Sequence, residues 1–588
     1  MLDRHAFDVA LGRSAPDRLI TGGRVVNVYT GEILSAEVAI AGDKFAAIGN
    51  VAHLAGPDTE IVDVSGAHVV PGLIDTHVHI EVGKLTVASY ADAVLPHGTT
   101  TVYTALDHMA CVLGLDGVRM LLDQAAAVPL RVLNPLPCRV PHTIPPSTIG
   151  GSVGLQEQLE AFTWPEARGI AEVSMDFLRR GDEPLFAAMQ ACAERRLLVH
   201  GDAPALRGSD VNAFMCANCR DDHEMTGPEE MAEKLRAGFY CMIRECPSGS
   251  DLEECIKVVT EMGLPTRRIA FCTDDVDART LVEQGHIDHI VRRAIGYGVD
   301  PVAAIQMATL NAAEGLRLDQ EIGAVGPGLY ADFLLVEDLT EFVVAETWLN
   351  GVKVAAGGRT VNPGPRPEIV PALYETFRLP PLSPDALAVR TDLPDGPVIV
   401  LAMASDDGTV RHRVDVELEV RDGCVLADPD QDVAYIGVRE RYTGAGGGST
   451  AFMAGMGLRA GALATSNCPD DQNVLCVAAD LESMATAINR LAALGGGQVV
   501  THGTEVLAEL ALPVAGMLSD ISAAEMVTAE AALETAAHSL GELPERPFAR
   551  FLFTQITTLP EWSLTDQGLV EYASLSYVDP VLGPVGSA

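Results

Sequence analysis

Residues 71–81 read PGLIDTHVHIE. A Pro-Gly turn and a short apolar run lead into two histidines spaced by one residue. In an extended chain, positions i and i+2 point to the same side. His77 and His79 therefore project together from the end of a strand, an arrangement suited to gripping one metal ion.

Working outward, residues 18–70 carry short strand-like runs (RLITGGRVVNV, EILSAEVAIAGDKFAAIG, EIVDVSGAHVV) separated by turn residues. From 71 to 324 the texture changes. Apolar runs (TTVYTAL, RVLNPLP, LLVHGD, FYCMIRE, RIAFCTDD) alternate with helical segments (VRMLLDQAAAV, LFAAMQACAERR, PEEMAEKLRAG). Such alternation predicts βα units on a parallel sheet. A span of roughly 250 residues is the size of a (β/α)8 barrel. Strand-and-turn texture returns at 325–365 and is expected to complete the small β-domain opened by residues 1–70. A proline-rich linker, 361–386, precedes an additional C-terminal α/β domain in 366–588. The expected architecture is thus α/β: a metal-dependent barrel (71–324), a split β-sandwich (1–70 with 325–365) and a C-terminal domain. The string TGAGGGST (443–450) lacks the Lys and the spacing of a phosphate loop and reads as a tight turn.

The 588 residues carry 81 acidic and 40 basic side chains, a formal charge of −41. That surface repels phosphate backbones and anionic headgroups, so neither nucleic acid nor membrane is an expected partner. No apolar run reaches the ~20 residues of a spanning helix. No basic-then-apolar leader opens the chain. Twelve cysteines scattered along the chain without a disulfide framework fit reduced thiols and a cytoplasmic setting.

In a parallel barrel the functional groups sit at the C-terminal strand ends. Candidates occur there in chain order: His77 and His79 flanked by Asp75 and Glu81, then Asp107 and His108, Glu172, His200 and Asp202, Asp221 to Glu224, and finally Asp274 and Asp275. A lone histidine or acid is ordinarily a solvated or hydrogen-bonded side chain. A series of them on successive strand ends is not explained that way, because burying them unpaired is costly. A cation would satisfy several at once. Mixed nitrogen and carboxylate ligation suits a divalent transition metal, Zn, Mn or Fe, one or two per chain.

The combination VVPGLIDTHVHIE, AVLPHGTTTV and TDD resembles the amidohydrolase superfamily. The stretches GHIDHIVRRAIGYGVDPVAAIQMATLNAAE (285–314), DDHE (221–224), YCMIRE (240–245), GLYADFLLVEDL (328–339) and LPVAGMLSD (512–520) resemble bacterial adenine deaminases. The resemblance implies that His77 and His79 ligate the more buried metal, with Glu172 as the bridging carboxylate. It implies that His223 is the histidine after strand 6 and a metal ligand or oxyanion partner. Asp274 would be the strand-8 acid that ligates and moves a proton, and Glu224 a proton shuttle to the ring. The implied reaction is hydrolysis of a C–N bond in a small cyclic nitrogen-containing substrate, adenine to hypoxanthine and ammonia, by a homodimer or higher homo-oligomer. The alternatives are a remodelled pocket for another cyclic amidine, imide, lactam or lactone, and a non-catalytic binding relative. Three departures favour remodelling. Asp202 stands where the family pattern GHAP has histidine, with His200 expected to take over as ligand. ALDHM (105–109) replaces DPHE, and CPDDQN (468–473) replaces AHDSHN.

Overall fold

The computed structural model describes residues 3–361, 366–406 and 408–586. Residues 362–365 of the proline-rich linker lie outside the described residues. Eight strands frame the candidate site: β1 (Leu73–Asp75), β2 (Thr99–Tyr103), β3 (Arg131–Pro137), β4 (Ala167–Ser174), β5 (Leu198–Asp202), β6 (Asp221–Asp222), β7 (Tyr240–Cys246) and β8 (Ile269–Cys272). Strands β1 to β5 form one parallel sheet in sequential order. β6, β7 and β8 form a second parallel set. Two contacts bring the sheets together at their edges. Val78, just past β1, bridges Asp274, just past β8. On the other side the Gly201 amide donates to the Asp221 carboxylate at 3.0 Å.

Helices follow the strands because their sequences punctuate clearly. The helix Pro228–Ala237 shows this. Proline opens it, Glu229 and Glu230 occupy the first turn, and Lys234 and Arg236 the last, all favourable to the helix dipole. Gly238 ends it at φ 100°, a left-handed cap that a side chain would resist. Below the strand ends, Ile74, Tyr103, Leu133, Leu198, Met242 and Ala270 meet in a buried cluster closed by Leu316, Leu318 and Ile322. The interior is therefore packed, and functional groups can gather only at its mouth.

Strands from both flanks of this region share one sheet. Phe333–Val336 pairs antiparallel with His68–Pro71, which in turn pairs with Arg24–Asn27. Strands from the two ends of a sequence gap of some 250 residues thus build the seven-stranded sheet, and a four-stranded sheet from residues 18–63 lies beside it. The C-terminal region is an eleven-stranded sheet carrying the helix Leu481–Leu494. The glycine string at 443–450 turns the hairpin between Val433–Arg439 and Gly448–Ala454. No helix among the described residues is long and apolar enough to cross a membrane.

Candidate metal centre

His77 and His79 lie in the bent segment directly after β1. Asp75 fixes that segment. Its Oδ1 accepts from the amides of His77 and Thr273, both at 3.2 Å, and its Oδ2 lies 3.1 Å from His286 Nε2. Asp75 is thus a brace between the first and last strands rather than a member of the cluster. The two imidazoles point their Nε2 atoms at one place, 3.2 Å apart. Glu172 Oε1 lies 3.2 Å from His77 Nε2 and 3.8 Å from His79 Nε2. Asp274 Oδ1 lies 3.5 Å from both. The His223 ring stacks on that of His77 at 3.9 Å.

Backbone irregularities aim the two carboxylates. Glu172 follows a register shift in β4 and has φ 62°; Asp274 has φ 49°. Non-glycine residues seldom hold this left-handed conformation, and such strain collects at functional sites.

The donor atoms fit a cation. Four ligands at ~2.1 Å in a tetrahedron stand about 3.4 Å from one another, and here His77 and His79 lie 3.2–3.8 Å from each other and from each of the two carboxylates, Glu172 and Asp274. Glu172 Oε1 is buried without a hydrogen-bond partner. The ligand atoms of three further overlapping groups also converge: His77, Glu172 and His223; His79, Asp107 and His108; and His223, Glu224 and Asp274. The protonation preferences reflect the same demand for positive charge. Burial, with His223 beside it, pulls His77 down to about 4. Burial acts on His79 in the same sense, yet Asp107, Glu172 and Asp274 hold it well above the usual imidazole value. Burial drives Glu172 well above the carboxylate range. For Asp274, burial is outweighed by His77 and Arg244, which keep it well below.

The second layer comes from β2 and β7. Asp107 Oδ1 accepts from His79 Nδ1 at 2.9 Å and fixes which nitrogen faces the cluster. His108 stacks on His79, and burial lowers it to about 4. Arg244 Nη1 donates to Glu224 Oε1 at 2.5 Å and to Asp274 Oδ2 at 3.1 Å. Glu81 lies behind Asp107; burial and that neighbouring charge raise it to about 7. Asp275 rises to about 7 through burial and the charge of Asp274.

Not every residue expected at the site is there. His200 stays deep in the strand, its Nε2 2.6 Å from the Tyr103 hydroxyl and its Nδ1 2.7 Å from Asp221 Oδ2. Both ring nitrogens are engaged, so the geometry does not give His200 the ligand role foreseen for it. Asp202 does reach the cleft, where Oδ1 is buried and unpartnered. Burial and the charge of Glu224 push its carboxyl well above the usual range. Asp221 serves His200. Asp222 serves the buried Lys234, whose Nζ lies 2.7 Å from Asp222 Oδ2 and 2.7 Å from the Ala203 carbonyl.

The cluster opens into a cleft of about 610 Å³. Its far wall belongs to the C-terminal region: Pro469, Asp470, Phe553, Ile556 and Tyr572. Asn467 pins the loop, donating to the carbonyls of Glu81 and Met517 at 3.1 Å. Gln472 faces inward and accepts at its carbonyl from Arg441 and Tyr442, so it shapes the loop rather than the cleft. Sequence reading overlooked His142, a buried cleft residue 3.9 Å from Asp470, and gave Arg244 no role. A charged side chain near the C-terminal end of a parallel strand was the available signal for Arg244. His142 lies in an irregular loop and had none.

Residues 181–354 match the amidohydrolase family model, and residues 408–576 match the adenine deaminase C-terminal domain. Adenine deaminase 4 of Rhizobium meliloti (strain 1021) is 41% identical over 581 residues, covering 98% of this chain and 96% of its own length. The chain belongs to the adenine deaminase family. Adenine deaminase 1 of Desulfotalea psychrophila, another member of the adenine deaminase family, is 38% identical over 96% of this chain and 95% of its own. Among solved structures, an adenosine deaminase from Xanthomonas campestris with bound zinc aligns at 16% identity and a TM-score of 0.44, over 59% of this chain and 95% of that one; a score so low carries no argument. As a member of the amidohydrolase and adenine deaminase families, the chain is a metal-dependent hydrolase.

Proposed function

We propose that the chain deaminates adenine to hypoxanthine and ammonia at the mouth of a closed (β/α)8 barrel. The observation that carries this is the convergence of His77, His79 and Asp274, with Glu172 set against both histidines and one of its oxygens unpartnered, in a chain related along its length to adenine deaminases. The proposed domains are 1–70 with 325–365, 71–324, and 366–588. The Val78–Asp274 bridge supports closure of the barrel.

The residues that would hold a metal are His77, His79, Glu172 and Asp274, with His223 beside them for a second ion. Nitrogen and carboxylate donors favour Zn, Mn or Fe. When bound, such a cation brings the pKa of a coordinated water toward neutrality. The chain's own groups do the rest. Asp274, with Oδ2 held by Arg244, takes a proton from the attacking water at its carboxylate and passes it to the leaving nitrogen. Glu224, with Oε1 tied to Arg244, offers Oε2 to a ring nitrogen. His223, kept neutral by burial, donates a hydrogen bond to the oxygen that adds to the ring. Ten of the twelve thiols are buried, and all are free, which supports a reducing, cytoplasmic setting.

A second reading is favoured by one wall of the cleft. Asp107, His108 and Asp470 place carboxylates and an imidazole where the family pattern differs, with His142 beside them, and His108 Nδ1 and His142 Nε2 are buried without partners. A different cyclic C–N substrate could supply those partners. Ammonia release from adenine and from a panel of purines, cyclic amidines, imides, lactams and lactones decides between the two. Adenine turned over at roughly 10⁴ M⁻¹s⁻¹ or better establishes the first reading. A metal-loaded enzyme inert toward adenine but active on another ring overturns it.

A further inference from the structure

Arg244 occupies a singular place in the cleft. Glu172, Asp202, Glu224, Asp274 and Asp275 all face the same space. Among the described residues that line it, the other fixed cation is Arg179, which is spent on Asp176 and Asp210. The guanidinium of Arg244 makes three contacts in three directions. Nη1 reaches both Glu224 Oε1 and Asp274 Oδ2, and Nε donates to Asp251 Oδ2 at 2.9 Å. Its flat face lies on Gly249, where a Cβ would come within 2.3–2.6 Å of the guanidinium atoms. Glycine at 249 is therefore a fitted seat, and Asp251 a tether, for one orientation of the side chain.

We propose that Arg244 is a positioning residue that sets the geometry of the two proton-handling carboxylates. By taking Oδ2 of Asp274 it leaves only Oδ1 to face His77 and His79. By taking Oε1 of Glu224 across the same nitrogen, it holds the second carboxylate beside the first. Two acids on different strands are thereby kept adjacent, each with one oxygen free. A planar fork can bridge them while tethered from behind; an ammonium offers a point charge without that fixed geometry. This rests on the roles given above to Asp274 and Glu224, and its test is separable from them.

Three variants test it: Arg244→Met, Arg244→Lys and Gly249→Ala. Gly249→Ala removes no charge and displaces only the guanidinium, so it carries the test should Arg244→Met fail to fold. Each is compared with wild type for kcat, KM and the visible absorption bands of the Co²⁺-loaded protein, with folding checked by circular dichroism. A misplacement of about 1 Å costs on the order of 100-fold in rate. The expected result is a loss of about that size in kcat for Gly249→Ala and Arg244→Met, KM changed by less than about threefold, and shifted cobalt bands, with Arg244→Lys rescuing only a small part. Gly249→Ala with kcat within about threefold of wild type overturns the proposal, as does a rise confined to KM or an unaltered cobalt spectrum. Wild type that releases no ammonia from adenine sinks the functional reading instead and leaves the spectral comparison intact.

Discussion

Replacing Lys234 by Met is expected to loosen the sixth strand without breaking the fold. The Lys234 side chain is fully buried, and so is that of Asp222. Its ammonium binds Asp222, Glu230 and the Ala203 carbonyl. It thus joins the end of β5, strand β6 and the helix behind them. Methionine fills much the same space but strands two buried carboxylates. Removing one partner from a buried ion pair costs about 3–5 kcal/mol, because the remaining charge has no compensation. At 1.36 kcal/mol per tenfold this is roughly 160- to 5,000-fold in a local opening equilibrium. Hydrogen exchange of amides in 221–224 and 228–237 reads that equilibrium directly, whereas global melting of a multidomain chain does not. The pH dependence has a definite sign. Burial opposes ionisation of Asp222, but Lys234 wins and lowers its pKa, so this stabilisation is present above the ordinary carboxylate pKa and lost as pH falls through the lower folded value. Lys234 is raised, against the pull of burial, by Asp222 and Glu230. Its contribution is complete below the ordinary lysine pKa and lost as pH rises through the higher folded value. Exchange in the variant within threefold of wild type at neutral pH would refute the reasoning.

Asp107→Asn keeps the shape of the His79 partner but removes its charge, and a 10- to 100-fold loss of metal affinity, of the order seen for such outer partners, is expected by competitive chelator titration; unchanged affinity would deny Asp107 that role. His200→Gln is expected to leave metal content per chain as in wild type, measured by elemental analysis, since Tyr103 and Asp221 already occupy both ring nitrogens; a drop of one equivalent would restore His200 as a ligand.

What could be read from sequence divides along physical lines. The pair His77 and His79 was visible because alternation in an extended chain is a local rule, and their Nε2 atoms do face each other. The parallel strands were visible because apolar runs of about the right length alternate with capped helices. The sixth strand, only Asp221–Asp222, offered no such run and was approached through the histidine that follows it. His200 misled for a related reason. Sharing a strand face with Asp202 fixes direction, not depth, and at its depth Tyr103 and Asp221 were nearer partners. Asp75 misled because a carboxylate two residues from a histidine reads equally as ligand or as brace, and only the distant Thr273 and His286 decide. Arg244 needed Asp251 and Gly249 folded around it before its orientation had meaning.

The wall made by Pro469, Asp470, Phe553 and Tyr572 has a consequence for how such a catalyst can change over generations. The groups proposed to handle protons follow strand ends that stand on a packed interior, where a substitution disturbs what lies beneath it. The wall is built from several segments of the C-terminal region, fastened to the strand ends by contacts such as Asn467 on Glu81 and the Tyr572 hydroxyl on Asp176. Exchange of residues in those segments can alter which ring is admitted while the reaction machinery stays as it is. Chemistry and choice are thus inherited on separate pieces of the chain, and a new diet for the enzyme does not require a new engine.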